Sequence, residues 1–439
     1  SSGLYWPRSL GATAPPLALG RQVRLILEGF KAGVRAVWAL RNGKTVWGLG
    51  AAAWLAGLCA ASADPSDWTV APLSFPAGNA ELTINAQASG ALFGPDQPGQ
   101  NGKKFDGTQA SGTFRLMPTL RRDYDSGLAL SLEGVVAASD PLSRGRYDGD
   151  ALERLAGVAR TGLGTVQIGL ADGAGYALAV TGPKVDPGVS LDDPRTSFFR
   201  DPAGGRALTE LFPLRAEVGA SSNYAKFTYA SPELFGIQLG LSFTPTEGKQ
   251  LPFMNAGPHV PGRQADIWEA ASRVSQDVGP VTVSAYGAFA TGRAEHKLAG
   301  QHGVSDIGFG LRADYPVNDE ITVSLGGAYR TSNAHAFDIN QSWGGPASRV
   351  LAASGMISNG TWSAGLEYGN GVAGAVPGQP RIGLNGWEAS LGYQVSSSIG
   401  ASTGWQHLSY GRNSGVFFSG SSRLSMDAVF VHLNLTTSQ

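Results

Sequence analysis

The chain has 439 residues, of which only 15% are charged and 62 are glycine, with a single cysteine and a formal net charge of −1. Such a length could hold roughly two or three ordinary domains, yet the body of the chain has no run of about 20 apolar residues of the kind a membrane-crossing helix needs. With acidic and basic residues nearly balanced and no basic stripe, the composition argues against a nucleic-acid binder.

The first apolar run is TVWGLGAAAWLAGLCA, from Thr45 to Ala60, preceded by Arg41 and Lys44 and followed by Ala61-Ser62-Ala63. A basic flank, an apolar stretch and an A-x-A site describe a secretory signal peptide over residues 41–63, cut before Asp64. A lipoprotein signal at Cys59 is the alternative, but Leu58 stands where a small residue is expected. Residues 1–40, with Pro7, Pro15 and Pro16, offer no partner for a buried helix and read as a precursor extension. Cleavage would remove the one cysteine, and with it any disulfide. It would also remove seven basic residues against Glu28, moving the net charge to −7.

From Asp64 onward the sequence alternates apolar and polar residues over short segments, the signature of strands with one greasy and one wet face. In AELTINAQASGAL the residues Leu82, Ile84, Ala86 and Ala88 share one face, while Thr83, Asn85, Gln87 and Ser89 share the other. Phe114, Leu116 and Leu120 align with Leu128, Leu130 and Leu132 across a turn at Asp123 to Gly127, with Arg115, Thr119, Arg121, Ser131 and Glu133 on the opposite face. In FGIQLGLSFTP the apolar set is Ile237, Leu239, Leu241 and Phe243. Later segments repeat the theme, punctuated by turn signals such as Asn318-Asp319 and Asn359-Gly360.

Sixteen such segments start near residues 80, 112, 127, 151, 163, 222, 235, 267, 280, 305, 320, 350, 361, 386, 399 and 424. Their connections alternate between long ones rich in Gly, Asn, Asp, Ser and Pro (93–110, 139–150, 172–221, 245–266, 292–304, 332–349, 371–385 and 412–422) and short ones of two to four residues. A soluble sandwich has no reason to sort its loops this way. An outer-membrane barrel does, having an even number of antiparallel strands with tight turns at one end and longer loops at the other. The expected fold is therefore all-β, a sixteen-stranded antiparallel transmembrane β-barrel over residues 64–439 whose apolar face meets lipid. Arg115, Lys226, Arg312, Arg330, Glu367 and Glu388 take the polar parity of their strands. Phe227, Tyr229, Trp362, Tyr368, Trp387, Tyr393 and Trp405 take the apolar parity, as an interfacial girdle would.

The chain resembles the general-diffusion porins of Gram-negative bacteria, the trimeric sixteen-stranded kind, over essentially all of residues 64–439. LRRDYDSGLALSLEG is similar to the family's second hairpin, GLGTVQIGL to the strand before the third loop, and SNYAKFTYASPELFGIQLGLSF to the hairpin that follows it. Two departures are Leu170, where an arginine is common, and the ending LNLTTSQ in place of a terminal Phe. The resemblance implies an outer-membrane channel for passive diffusion of small hydrophilic solutes and ions, assembled as a homotrimer. Small or flat residues on the first five strands, Ala86, Ala88, Val136, Val166 and Ile168, suit packing of barrel against barrel.

It also implies that the third long connection, 172–221, folds into the barrel and narrows it to a charged eyelet. The acidic side of that eyelet is expected to be Asp186, Asp192, Asp193 and Asp201, with Arg195, Arg200 and Arg206 interspersed. The basic side is expected to be Arg115 and Arg121 on the second strand and Lys226 on the sixth, together with Arg200. Carboxylates facing cations across a narrow aqueous gap would set up a transverse field favouring polar solutes. The same charges would otherwise serve only to solvate a surface loop. Asp192-Asp193 offers too few ligands for a Ca²⁺ site, and no cofactor or metal is expected.

Two other functions stay open. A substrate-specific porin would show a ladder of arginines or aromatics in the bore; the arginines are dispersed, while Tyr286 and Tyr410 leave sugar stacking available. A barrel enzyme would need a Ser and His pair with a supporting acid on the lipid face. The sequence has no H-E-x-x-H, G-x-S-x-G or phosphate loop, and His407 beside Trp405 reads as an interfacial histidine.

Overall fold

The computed structural model describes residues 69–97, 107–139, 152–192, 214–221, 224–247, 262–335, 338–344, 347–374, 376–377, 381–412 and 423–437, all within the unit Asp64–Gln439. The expected precursor extension and signal peptide lie outside the described residues.

Sixteen strands form the wall: β1 (Ala80–Asp96), β2 (Gln109–Asp123), β3 (Ala129–Ser139), β4 (Leu152–Thr161), β5 (Gly164–Leu170), β6 (Ala225–Ala230), β7 (Ile237–Thr246) and β8 (Gln264–Val278) make one half. The other half is β9 (Val281–Ala294), β10 (Ser305–Pro316), β11 (Thr322–Ser332), β12 (Ser348–Ser358), β13 (Trp362–Val372), β14 (Ile382–Ser396), β15 (Ile399–Arg412) and β16 (Arg423–Thr436). Each pairs antiparallel with its neighbour in the chain, and β16 pairs with β1 from Asp427↔Asp96 to Thr436↔Gln87, so the sheet closes on itself. Closure leaves no edge whose backbone groups would face hydrocarbon unpaired, which is the condition for crossing a bilayer with strands.

The burial pattern is that of a soluble protein turned inside out. On β7, Ile237, Leu239 and Leu241 are 44%, 55% and 43% exposed, whereas Ser242 and Thr244 are 1% and 0% exposed. Leu311 on β10, Leu325 on β11 and Leu366 on β13 likewise point outward. Trp362 packs against Tyr393 and Tyr368 against Trp387 in tilted pairs, both at 4.4 Å between ring centres, all four on the outward parity. The first pair lies beside the tight turn at 359–361, where an interfacial belt belongs.

The short connections run from two residues (162–163) to six (231–236), slightly longer than the alternation suggests. The six-residue turn has Phe235 and Gly236 both at positive φ. Two features were not readable in the sequence. A short strand, Leu73–Ala77, pairs with the start of β1, and its Pro76 weakened any strand signal. A small hairpin, Ala334–His335 with Asp338–Ser342, sits within the connection from β11 to β12.

Candidate functional site: the loop inside the barrel

The third long connection leaves the wall after Leu170 and returns at Ala225; its described parts are 171–192, 214–221 and Tyr224. Irregular backbone enclosed inside a barrel needs partners for its polar groups, and two buried ionisable side chains on the inner wall supply them at the loop's roots. Lys226 on β6 donates from Nζ to the carbonyls of Ala171 (2.7 Å) and Ser221 (3.2 Å). Glu269 on β8 accepts from the amides of Ser221 (2.9 Å) and Gly175 (3.2 Å), the latter in the one-turn helix α1 (Ala174–Ala177).

From there the loop follows the inner wall across β10 to β16 and partly back. Outward bound, Val180 lies over Gly310, Gly182 over Gly326, and Val185 between Gly365 and Gly392. On the return, Leu214 lies over Gly369 and Gly386, and Val218 over Gly308. A Cβ at Gly365 would stand 2.7 Å from Val185 Cγ2, and one at Gly369 2.7 Å from Leu214 Cδ1. Inward-facing glycines thus form the bed on which the loop lies, since only a residue without a side chain lets another segment approach so closely. The seam between loop and wall is apolar: Val189, Leu191 and Leu214 join Phe93, Leu384, Leu408, Tyr410 and Phe430 in one buried cluster, and Leu178, Val180 and Val218 join Ile267 and Tyr286 in another.

The loop's described charges turn toward this wall or toward each other. Asp186 is bound by His432 Nδ1 (2.6 Å) and the Ser402 hydroxyl, and accepts from the Gly188 amide (2.8 Å). Asp192 takes Lys184 Nζ and the Ser190 hydroxyl. Glu217 accepts from Arg215 Nε at 3.0 Å, and the Arg215 guanidinium lies 5.3 Å over the Tyr176 ring, tying the returning segment to α1.

Burial pushes the Asp186 carboxyl up, but hydrogen bonds from His432, Ser402 and Gly188 with the His432 charge outweigh it and hold it below its ordinary value. Glu217 is also opposed by burial, yet Arg215 and Lys184 bring it down to about 2. For Lys184 burial acts downward, and Asp192 and Glu217 prevail, raising it above its ordinary 10.5. Depressed acids stabilise the docked loop above their ordinary values and lose that contribution as pH falls through the depressed ones; a raised lysine contributes below 10.5 and is lost only above its raised value. The hold of these two loop carboxylates is therefore expected to be lost only as pH falls below the ordinary carboxylate range of about 4 and toward about 2, read as a change in single-channel conductance on acidification. Conductance unchanged between about pH 4 and about pH 2 would contradict this electrostatic picture.

The inner face of β2 to β4 carries a second set of charges. Arg115 pairs with Glu153 at 2.9 Å, and Glu133 is shared by Arg154 (3.2 Å) and Arg160 (2.6 Å). Glu153 reaches inward because the β3–β4 register shifts between Val135 and Val136, and such bulges re-aim side chains.

The structure brings the expected eyelet residues together only in part. Arg115 faces the bore but pairs with its own wall. Arg121 lies beside the tight turn after β2, paired with Asp123 at 2.9 Å and well exposed. Lys226 is 0% exposed and holds loop backbone, so it presents no free cation to the bore. Asp186 and Asp192 meet His432 and Lys184 in place of the wall arginines. Arg312 pairs with Asp314, and Arg330 with Asp306 beneath the loop. Asp193, Asp201, Arg195, Arg200 and Arg206 lie outside the described residues. Tyr286 and Tyr410, the candidates for sugar stacking, are 5% and 1% exposed and packed behind the loop.

A closed barrel of sixteen strands, greasy outside and lined by charges, with a long loop laid along its inner wall, is a transmembrane pore of the outer-membrane type. The profile of the Gram-negative porin family matches residues 49–415, and the chain belongs to that family: it is an outer-membrane diffusion channel. Among solved structures it is similar to OmpT of Vibrio cholerae, with 11% identity, 83% of this chain and 100% of the other covered, and a TM-score of 0.49. It is likewise similar to a mutant Rh. blastica porin (16%, 81% and 99%, TM-score 0.47). The anion-selective porin from Comamonas acidovorans is a further likeness (13%, 81% and 99%, TM-score 0.46). No curated protein sequence matches the chain.

Proposed function

We propose that the pore is a general one, passing small hydrophilic solutes and ions by passive diffusion, with its size limit set by the third loop. The observation that carries this is the loop's position: the described segments lie flat on the wall from β8 to β16, and the bore beside them is edged by paired charges on β2 to β4. The alternative of a sugar-selective pore is disfavoured because Tyr286 and Tyr410 present no ring face to a passing solute. Transport of this kind needs no covalent chemistry, and the protein acts as a channel and not as an enzyme. The eyelet field is contributed chiefly by the Arg115–Glu153 and Arg154–Glu133–Arg160 groups, with Asp193, Arg200 and Asp201 as the loop residues still expected to face them.

The same reading includes secretion with cleavage of the signal peptide after Ala63 and assembly as a homotrimer. Outward residues Ala86, Ala88, Val136, Val166 and Ile168 offer a face with no long polar side chain for packing against a second copy. Reconstitution of the secreted chain in a planar bilayer tests it: conductance steps in groups of three with weak cation preference are expected. Saturable block by one particular solute would favour a substrate-specific pore instead. The unheated detergent-purified protein should migrate as a trimer, and monomeric migration would contradict the assembly.

A further inference from the structure

The loop is held at its roots by Lys226 and Glu269, and its outgoing run reaches β15 and β16 at Asp186, about fifteen residues further on. The glycine bed and the apolar seam seat that run along the wall, but apolar contacts are non-directional and leave its position loosely specified. A directional anchor beyond the roots gives the opening a defined size.

We propose that Ser402 and His432, on the inner wall, are the positioning residues that hold the outgoing run of the third loop through Asp186 and thereby set the channel's size limit. The residues belong to three separate segments. Ser402 is on β15 and His432 on β16; both contact the same carboxylate oxygen of Asp186, His432 Nδ1 at 2.6 Å. The other oxygen takes the Gly188 amide at 2.8 Å, which closes the loop's turn on the same carboxylate. Val189 N bonds back to the Asp186 carbonyl at 3.2 Å, so the turn is braced by its own backbone as well.

The latch is enclosed: the His432 side chain is 5% exposed and that of Asp186 14%. A carboxylate so placed cannot keep its position when its donors are removed, because it would sit in a poorly hydrated seam without partners. Its cheapest relief is for the loop to swing into the bore water, carrying the constriction with it. Val185 and Pro187 flank the carboxylate, and Val185 is seated between Gly365 and Gly392, so the same movement would lift the apolar contact on either side.

Other charges near the latch come from each element around it. Glu367 on β13 and Glu388 on β14 face one another across the sheet and act on Asp186 at longer range. On the loop, Lys184 is engaged by Asp192. Neither Glu367 nor Glu388 is hydrogen-bonded to Asp186 among the described contacts, and Lys184 is engaged by Asp192, so Ser402 and His432 are the wall donors to this carboxylate.

The inference rests on the chain being a diffusion channel and is tested by the full secreted chain in bilayers and in liposome swelling with sugars of increasing size. His432→Ala and Asp186→Ala are expected to admit larger sugars and to raise single-channel conductance by roughly twofold with added flicker, since current scales with the water-filled opening. His432→Asn, which keeps a donor near the position of Nδ1, is expected to restore the wild-type limit. Ser402→Ala should fall between. The midpoint of heat-induced barrel unfolding in detergent is expected to stay near wild type, because the wall ladders are untouched.

An unchanged size limit in both His432→Ala and Asp186→Ala would overturn the proposal. So would a lowered unfolding midpoint with the sugar limit unmoved, which is the result a purely structural role predicts. Should His432→Ala fail to assemble, Ser402→Ala and Asp186→Asn give the same readout. Absence of conductance in the wild-type chain would instead refute the channel reading itself.

Discussion

Leu311→Arg is expected to lower the stability of the folded protein in lipid by about 2–4 kcal/mol, the cost of an arginine on the lipid face near the middle of the bilayer. The sequence already contains the control. Arg312, one residue along the same strand, is a native arginine, and it is tolerated because alternation turns it inward onto Asp314 at 2.8 Å. Leu311, 56% exposed and midway along β10, has only lipid to face. Arg312→Leu should therefore cost much less than Leu311→Arg, in reverse of what a soluble sheet with a dry interior would show. Denaturant titration of each variant refolded into vesicles measures both, and a silent Leu311→Arg would mean that the outward face is not in hydrocarbon.

Glu269→Ala is expected to release the loop at its roots while leaving the barrel closed. The substitution removes the acceptor for the amides of Ser221 and Gly175, and each buried amide left without a partner costs about 1–3 kcal/mol. It also leaves the Lys226 ammonium, buried beside the same segment, without one of the two carboxylates that compensate it, the other being Asp172. None of the strand ladders passes through this side chain, so the loss should appear as a wider, noisier channel in bilayer recordings and not as a failure of the sixteen-strand wall. Conductance equal to wild type, with the protein assembled, would show that the loop is seated by its apolar contacts alone.

The wall was legible because its rule is local. Alternation places Leu239 outward and Ser242 inward whatever the rest of the chain does, and turn residues such as Asn318 and Asn359 mark where each strand must stop. All sixteen strands lie where the pattern puts them.

The site was legible only to the level of parity. Parity places Lys226 inward but does not say what covers the inner face, and here the loop backbone does. The sequence shows Asp186 and Asp192 as loop acids; Asp192 meets Lys184 only 8 residues away, but the partner of Asp186, His432, lies 246 residues away in the chain. The glycine pattern carries a further signal. Gly308, Gly310, Gly365, Gly369, Gly386 and Gly392 all take the inward parity on β10, β13 and β14, and a bed of missing side chains beside one overlong connection points to a segment laid across it. Glu269 carried no such signal, since a lone inward carboxylate looks the same whether it meets water or amides.

The central claim is that successive residues of one strand meet water and lipid in turn. Single cysteines placed from Thr113 to Leu120 on β2, away from the loop's bed, test it most directly when each is offered a membrane-impermeant thiol reagent during bilayer recording. Labelling, with a drop in current, is expected at 113, 115, 117 and 119 and not at 114, 116, 118 and 120. Equal reaction at both sets, or reaction confined to the even positions, would contradict a water-filled bore inside a lipid-facing wall.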